Sequence, residues 1–271
     1  MIRRALADAT ARLASVSDTP RLDAEILMAH ALGIGRDTLL LGGLDGAVPD
    51  AFAALVARRM TAEPIAYILG TKAFWTLDLS VGPGALIPRP DSETLIEAAV
   101  AHFAGTAGPA QILDLGTGPG TLLLAASSEW PAATGIGVDA SHAALAYATH
   151  SASIVSMLDR VHFVVGDWAG AIDGRFDLIL ANPPYIGTGE PLPPSVAAHE
   201  PHEALFAGPD GLDAYRAIVP DLPRLLAPGG VAAIEIGWTQ AESVSAMVAA
   251  QGLAVTLRRD LGGRPRAIIA T

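Results

Sequence analysis

The stretch Ile112-Leu113-Asp114-Leu115-Gly116-Thr117-Gly118-Pro119-Gly120-Thr121-Leu122-Leu123-Leu124 decides the fold. A buried-strand apolar run meets a tight glycine turn, and the turn opens a helix. Glycine adopts positive φ freely and lets the backbone approach a ligand closely. The alternation then repeats. Strand-length apolar runs follow at 136–139, 161–165, 176–181, 231–236, 253–257 and 267–270. Strands alternating with helices predict an α/β fold with a doubly wound, mostly parallel sheet of seven strands. The few residues between Leu261 and Ala267 cannot hold a helical crossover, so the last two strands are expected to be antiparallel.

In such a sheet, ligands bind at the carboxyl ends of the strands. A dinucleotide turn wants Gly-x-Gly-x-x-Gly. Here Thr121 stands where the third glycine would be, which argues for a ligand without a pyrophosphate. Asp139 ends the second strand, where a carboxylate can accept both hydroxyls of a ribose. Asp167-Trp168 follows the third, where an acid or amide could meet an adenine edge and an indole its face. Taken singly, each acid is more often a cap or turn residue. Three strand ends together point to a nucleoside-like ligand.

The fourth strand ends in Ala181-Asn182-Pro183-Pro184-Tyr185. Two prolines cannot donate ladder hydrogen bonds, so the strand stops in a stiff turn. That turn offers two fixed acceptors, the Asn182 side-chain oxygen and the Pro183 carbonyl. Such a pair suits a planar NH2 group with two donors. Alone, the tetrapeptide is equally an ordinary loop entry.

The 271 residues could hold one large domain or two modest ones. Hydrophobic residues make up 51% of the chain, ample material for a core. No run of about 18 apolar residues suggests a membrane span. Met1-Ile2-Arg3-Arg4-Ala5, followed by Asp8 and Arg12, is not a secretory leader. Cysteine is absent, which excludes disulfides and thiolate metal sites. The seven histidines show no metal-ligand spacing, and His199 and His202 beside Glu200 read as a solvated loop. No metal is expected, and a cytoplasmic location is. A net charge of −11, with Lys72 the only lysine, argues against a duplex-binding face.

Upstream of the sheet, residues 1–71 read as a small helical bundle. Leu22, Ile26 and Leu27 follow Pro20 at helical spacing. Asp50 is a candidate N-cap for a stripe of Phe52, Leu55, Val56 and Met60. Gly33, Gly35 and the Gly42-Gly43 pair supply the breaks. Asp23 and Glu25 read as a solvated helix face. Residues 72–88 read as a linking β-hairpin, with one strand over 74–81 and the turn at Gly82-Pro83-Gly84. Asp91 is a candidate cap for the helix after it, and Arg89 is held extended between two prolines. Further on, Thr239-Gln240-Ala241-Glu242 reads as a capping box. Pro220 and Pro223 predict a break near Val219.

With these residues in view, the second domain resembles the class I S-adenosylmethionine-dependent methyltransferases. More narrowly, nearly the whole chain resembles the release-factor glutamine N5-methyltransferases of the PrmC/HemK type. The resemblance rests on Arg21-Leu22-Asp23-Ala24-Glu25, Glu63-Pro64-Ile65-Ala66-Tyr67, Arg89-Pro90-Asp91-Ser92-Glu93, Asp114-Leu115-Gly116-Thr117-Gly118, the Asn-Pro-Pro-Tyr run and Glu235-Ile236-Gly237. The glycine turn is shared by many methyltransferases, and Asn-Pro-Pro-Tyr by amino-methylating enzymes generally. The Arg-Pro-Asp-Ser-Glu segment with the helical N-terminal domain is the discriminating combination.

The resemblance implies a substrate-docking domain over 1–71, a hairpin linker over 72–88 and a methyltransferase domain over 89–271. S-adenosylmethionine would sit on Gly116, Thr117, Gly118, Pro119 and Gly120, with Asp139 on its ribose and Asp167 and Trp168 beside its adenine. Asn182 would touch cofactor and substrate, and Pro183, Pro184 and Tyr185 would shape the acceptor pocket. Asn182, Pro183 and Tyr185 are the candidate catalytic residues. The substrate would be the glutamine of the Gly-Gly-Gln tip of class I peptide-chain release factors. A monomer that binds neither membrane nor nucleic acid is expected. Pro119 departs from the family and removes one amide donor near the cofactor. His150 departs too, away from the chemistry. A nucleic-acid amino-methyltransferase would share the Asn-Pro-Pro-Tyr chemistry, and a non-catalytic cofactor-binding scaffold would keep the fold without the transfer.

Overall fold

The computed structural model describes every residue except Gly43, so half of the Gly42-Gly43 break lies outside the described residues. The chain forms two compact units, Met1–Thr71 with Leu192–His199, and Lys72–Pro191 with Glu200–Thr271.

The first unit contains α1 (Ile2–Leu13), α2 (Pro20–Leu32), α3 (Arg36–Gly42), α4 (Ala51–Met60) and α5 (Ile65–Leu69). Leu13, Leu27, Met28 and Leu39 are fully buried in its core, and Phe52 and Val56 face the same way. α2 starts with Pro20 in its first turn, where the missing N–H costs nothing, and closes on Gly33 at φ 66. Asp50 precedes α4 but makes no side-chain cap.

Asp23 and Glu25 are not a solvated face: they are 5% and 3% exposed, while Leu22 is 39% exposed. The Arg59 Nε donates to Asp23 Oδ2 at 2.8 Å. Arg21 Nε and Arg36 Nη2 donate to the two Glu25 oxygens at 2.8 and 2.6 Å. Arg21 on the same helix, with Arg36 and Arg59 from α3 and α4, makes burial of these acids tolerable, and a single-helix periodicity cannot see the two partners that arrive from other helices. The segment Leu192–His199 includes a further short helix, Pro194–His199, and His199 Nε2 lies 3.1 Å from the Thr61 carbonyl.

The second unit opens with β1 (Thr71–Phe74) and β2 (Leu77–Ser80), a two-stranded sheet. The hairpin turn is at Trp75-Thr76 and not at 82–84, and 85–87 forms no strand. Trp75 takes φ 55, and its N–H donates to Glu93 Oε1 at 2.9 Å. The apolar alternation runs straight through this turn, which is why the sequence hides it.

The large sheet is β3 (Gln111–Leu115), β4 (Thr134–Asp139), β5 (Val161–Val165), β6 (Phe176–Ala181), β7 (Leu226–Glu235), β8 (Val255–Arg259) and β9 (Pro265–Ala270), in the order β5-β4-β3-β6-β7-β9-β8. β3 pairs in parallel with both β4 and β6, and β8 and β9 are antiparallel, as expected. Strand order reverses at β3, so its carboxyl end is the switch point where ligands bind. Two hydrophobic layers cover the sheet: Ile112, Leu178 and Leu180 face one, Leu113, Leu115 and Ile179 the other. The predicted break falls at Val219, where a 3₁₀ turn, Val219–Asp221, separates the helices Asp213–Ile218 and Leu222–Leu225.

Two more cap assignments fail. Asp91 lies in a 3₁₀ turn and pairs with Arg266 at 3.0 Å without capping the next helix, Glu93–His102. Gln240 stands before the helix Ala241–Ala250, which has no side-chain cap. Its amide instead accepts from the Gly237 N–H at 2.9 Å and donates to the carbonyls of Tyr185 at 2.9 Å and Gly211 at 3.1 Å. No described helix is long and apolar enough to cross a membrane.

Candidate active site

A cavity of about 1080 Å³, its open mouth included, lies at the carboxyl ends of β3, β4 and β6. The glycine turn forms its floor. Gly116, Gly118 and Gly120 take φ 72, 55 and 81, which only glycine adopts without strain. The turn's amides are already taken, most of them by the end of β4. Gly116 and Thr117 donate to the Val138 carbonyl, each at 2.9 Å, and Gly120 to Thr117 at 2.9 Å. The Gly118 N–H donates to Asp139 Oδ2 at 2.7 Å. Pro119 therefore introduces no unmet donor into a turn whose other amides are bonded to Val138, Asp139 and Thr117.

Asp139 also accepts from the Ser141 N–H at 2.8 Å, on Oδ1. A carboxylate has about four acceptor sites, so each oxygen keeps capacity for a hydroxyl donor. Trp168 sits at φ 46, a strained position for a bulky residue, with its ring against the floor. A Cβ at Gly116 would come within 3.0 Å of that ring. Asp167 lines the cavity beside it.

Asp114, at the end of β3, is buried at 1% exposure. Its Oδ2 accepts from Thr117 Oγ1 at 2.6 Å and from the Leu123 N–H at 3.2 Å, while Oδ1 is buried without a partner. Burial, reinforced by the nearby Asp139 charge, pushes this carboxyl up to about 7. In the sequence Asp114 stands within a motif and shows no role of its own. Its signal was a charged residue inside a strand otherwise buried throughout.

On β6, the proline turn brings Asn182 and Pro184 to the wall. The Asn182 Nδ2 donates to Ser92 Oγ at 3.1 Å, across ninety residues of sequence. Pro183 is buried. Gly120, Pro183 and Tyr185 are not among the lining residues; Gly116, Thr117, Gly118, Pro119, Asp139, Asp167, Trp168, Asn182 and Pro184 are. The Tyr185 ring packs into the core, and its hydroxyl lies 3.5 Å from Glu235 Oε1. Burial and the Glu235 charge push that phenol up to about 12.

The rim shows a further correction. Glu200 is not in a solvated loop: it is buried and accepts from the Ile87 N–H at 3.1 Å and from Arg89 Nη2 at 2.5 Å. This acid ties Ile87 and Arg89 to the stretch that carries Pro201, Glu203 and Ala204, and these five residues line the cavity.

A seven-stranded sheet of this order, with a hollow over a glycine turn at its switch point, belongs with the α/β methyltransferases once the family match is added. Residues 109–256 match the family described as a methyltransferase domain, and residues 4–70 the PrmC N-terminal domain. Among solved structures, a methyltransferase from Pyrococcus furiosus shares the fold, with a TM-score of 0.56 at 20% identity over 79% of this chain and 95% of that one. A release factor glutamine methyltransferase from Rhodospirillum rubrum is 43% identical over 93% of this chain and 79% of its own length. One from Mycolicibacterium smegmatis is 43% identical over 100% and 97%. The chain belongs to the release factor glutamine methyltransferase family.

Proposed function

We propose that this protein transfers a methyl group from S-adenosylmethionine to the side-chain amide nitrogen of the glutamine in the Gly-Gly-Gln motif of class I peptide-chain release factors. The observation that carries this reading is the Asn182 carboxamide, which is on the cavity wall with its NH2 tied to Ser92. That bond leaves Oδ1 as the face available to a ligand.

The cavity suits the cofactor. It offers a flat aromatic wall at Trp168, a carboxylate with spare acceptor sites at Asp139, and an orphaned buried oxygen on Asp114. When bound, S-adenosylmethionine supplies an electrophilic methyl on a sulfonium. The protein's task is placement and exclusion of water. A glutamine nitrogen is a poor nucleophile because its lone pair is delocalised into the carbonyl. Asn182 Oδ1, on the cavity wall, would accept one of its N–H bonds and the carbonyl of Pro183, set back from the lining, the other, leaving its π face open. Fixing the nitrogen this way lowers the barrier by several kcal/mol, at most about 7–11. Both acceptors bind more tightly as the nitrogen gains positive charge. Tyr185 supports the turn from behind. The helical domain over 1–71 docks the release factor. The acidic chain acts as a cytoplasmic monomer without nucleic acid.

Mass spectrometry of a release factor incubated with the protein and S-adenosylmethionine tests this. The expected result is one added methyl on the tip glutamine, with Asn182→Ala about 10²–10³-fold slower. A methyl on another residue, or transfer to RNA or DNA instead, would overturn the assignment.

A further inference from the structure

We propose that Ser92 and Glu235 are positioning residues that decide which way the Asn182 carboxamide faces. The proposal deepens the function argued above and rests on it. An amide presents an acceptor or a donor depending only on its flip, and the flip is set by its neighbours. Here the neighbour is Ser92, 1% exposed, whose Oγ accepts from Asn182 Nδ2 at 3.1 Å. A hydroxyl has one proton. If Oγ accepts from Asn182, that proton must point elsewhere.

Glu235 is the acceptor we assign to it. This acid ends β7, is 1% exposed and is close enough to Ser92 to feel its hydroxyl. Its Oε1 lies 3.5 Å from the Tyr185 hydroxyl and its Oε2 has no partner. Arg266 and Asp91 are the other charged groups acting on it. An ionised Glu235 can only accept. It then takes the Ser92 proton, turns the Oγ lone pairs to Asn182, and so directs Oδ1 into the cavity. A protonated Glu235 can donate to Ser92. The Ser92 proton is then free to turn to Asn182, which favours the opposite flip and sets an NH2 against the substrate's NH2. Burial raises Glu235 to about 7, so the two arrangements exchange within an accessible pH range.

The test is methyl-transfer kinetics on a release factor from pH 6 to 9, for the wild type, Ser92→Ala, Ser92→Thr and Glu235→Gln. S-adenosylmethionine affinity is followed by calorimetry, and the Asn182 side-chain NH2 signals by ¹⁵N NMR. Ser92→Ala is expected to lower kcat about 10- to 100-fold, the usual cost of losing an orienting partner, with cofactor affinity within about twofold. Ser92→Thr, which keeps the hydroxyl, recovers most of it. Wild-type kcat falls toward acid with a single-proton limb near neutrality, and Glu235→Gln abolishes that limb. Wild-type kcat in Ser92→Ala, or an unchanged acid limb in Glu235→Gln, would overturn the proposal. If the wild type leaves glutamine unmethylated, the functional reading fails. The NMR arm still decides the positioning claim: slow exchange of the Asn182 NH2 that is lost in Ser92→Ala supports it, and identical exchange refutes it.

Discussion

The two units bury carboxylates on opposite terms. In the helical unit, Asp23 and Glu25 each receive guanidinium hydrogen bonds, at 2.8 Å from Arg59 and at 2.8 and 2.6 Å from Arg21 and Arg36. In the sheet unit, Asp114 and Glu235 are as deeply buried, but no described guanidinium hydrogen-bonds to either, and each keeps one oxygen unpartnered. The consequence is a divergence in acidity. Burial alone would raise Glu25, but the Arg21 and Arg36 hydrogen bonds outweigh it and hold the carboxyl below its usual range. Asp114 and Glu235 are left near 7. Paired acids hold helices together; unpaired ones mark where a ligand or a positioning network needs the charge. Glu200 belongs to the first kind although it stands at the cavity rim, because Arg89 reaches it.

The largest expected effect lies in the helical unit. Arg59→Ala leaves Asp23 buried without its cation and is expected to destabilise the protein by about 3–5 kcal/mol, read by denaturant unfolding. S-adenosylmethionine affinity should be unchanged. A loss under about 1 kcal/mol would place Asp23 with the unpaired acids.

Next comes the pH dependence, with opposite signs in the two units. Asp114 and Glu235 have folded values above their ordinary 3.8 and 4.5. Their contribution to stability is fully present below about pH 4 and is lost as pH rises through about 7. Glu25 lies below its ordinary value of 4.5, so its contribution is present above that value and is lost as pH falls. Hydrogen exchange, corrected for intrinsic rates, should show protection around 111–115 weakening between pH 5 and 8. Protection around 20–32 should weaken only on acidification below about pH 4.5. The same sign in both segments would break the contrast.

The smallest effect is Asp114→Asn. The amide keeps an oxygen for Thr117 and Leu123 and removes a desolvated charge. Stability at pH 8 is expected to hold or rise by about 1 kcal/mol, while cofactor affinity falls about tenfold. A clear loss of stability would make Asp114 a structural acid.

Much of this was legible in the sequence. The sheet, its antiparallel end, the glycine turn and the break at Val219 all follow from local rules, since period, glycine and proline act within a few residues. Most of the expected site residues line one cavity for the same reason: strand ends of a parallel sheet converge. What escaped was everything set by distant partners. Asp23, Glu25 and Glu200 look like surface acids until the arginines that meet them are placed. Ser92 looks like part of a helix start until Asn182, ninety residues on, is brought to it. Gln240 reads as part of a capping box because that motif is local, whereas its partners Tyr185 and Gly211 are distant in sequence.

The most direct measurement is a high-resolution structure of the protein with S-adenosylhomocysteine and a Gly-Gly-Gln peptide. The predicted result has the glutamine nitrogen within hydrogen-bond distance of Asn182 Oδ1 and the Pro183 carbonyl, with Asn182 Nδ2 still on Ser92. A glutamine bound away from that corner, or an Asn182 turned with its NH2 toward the substrate, would contradict the account.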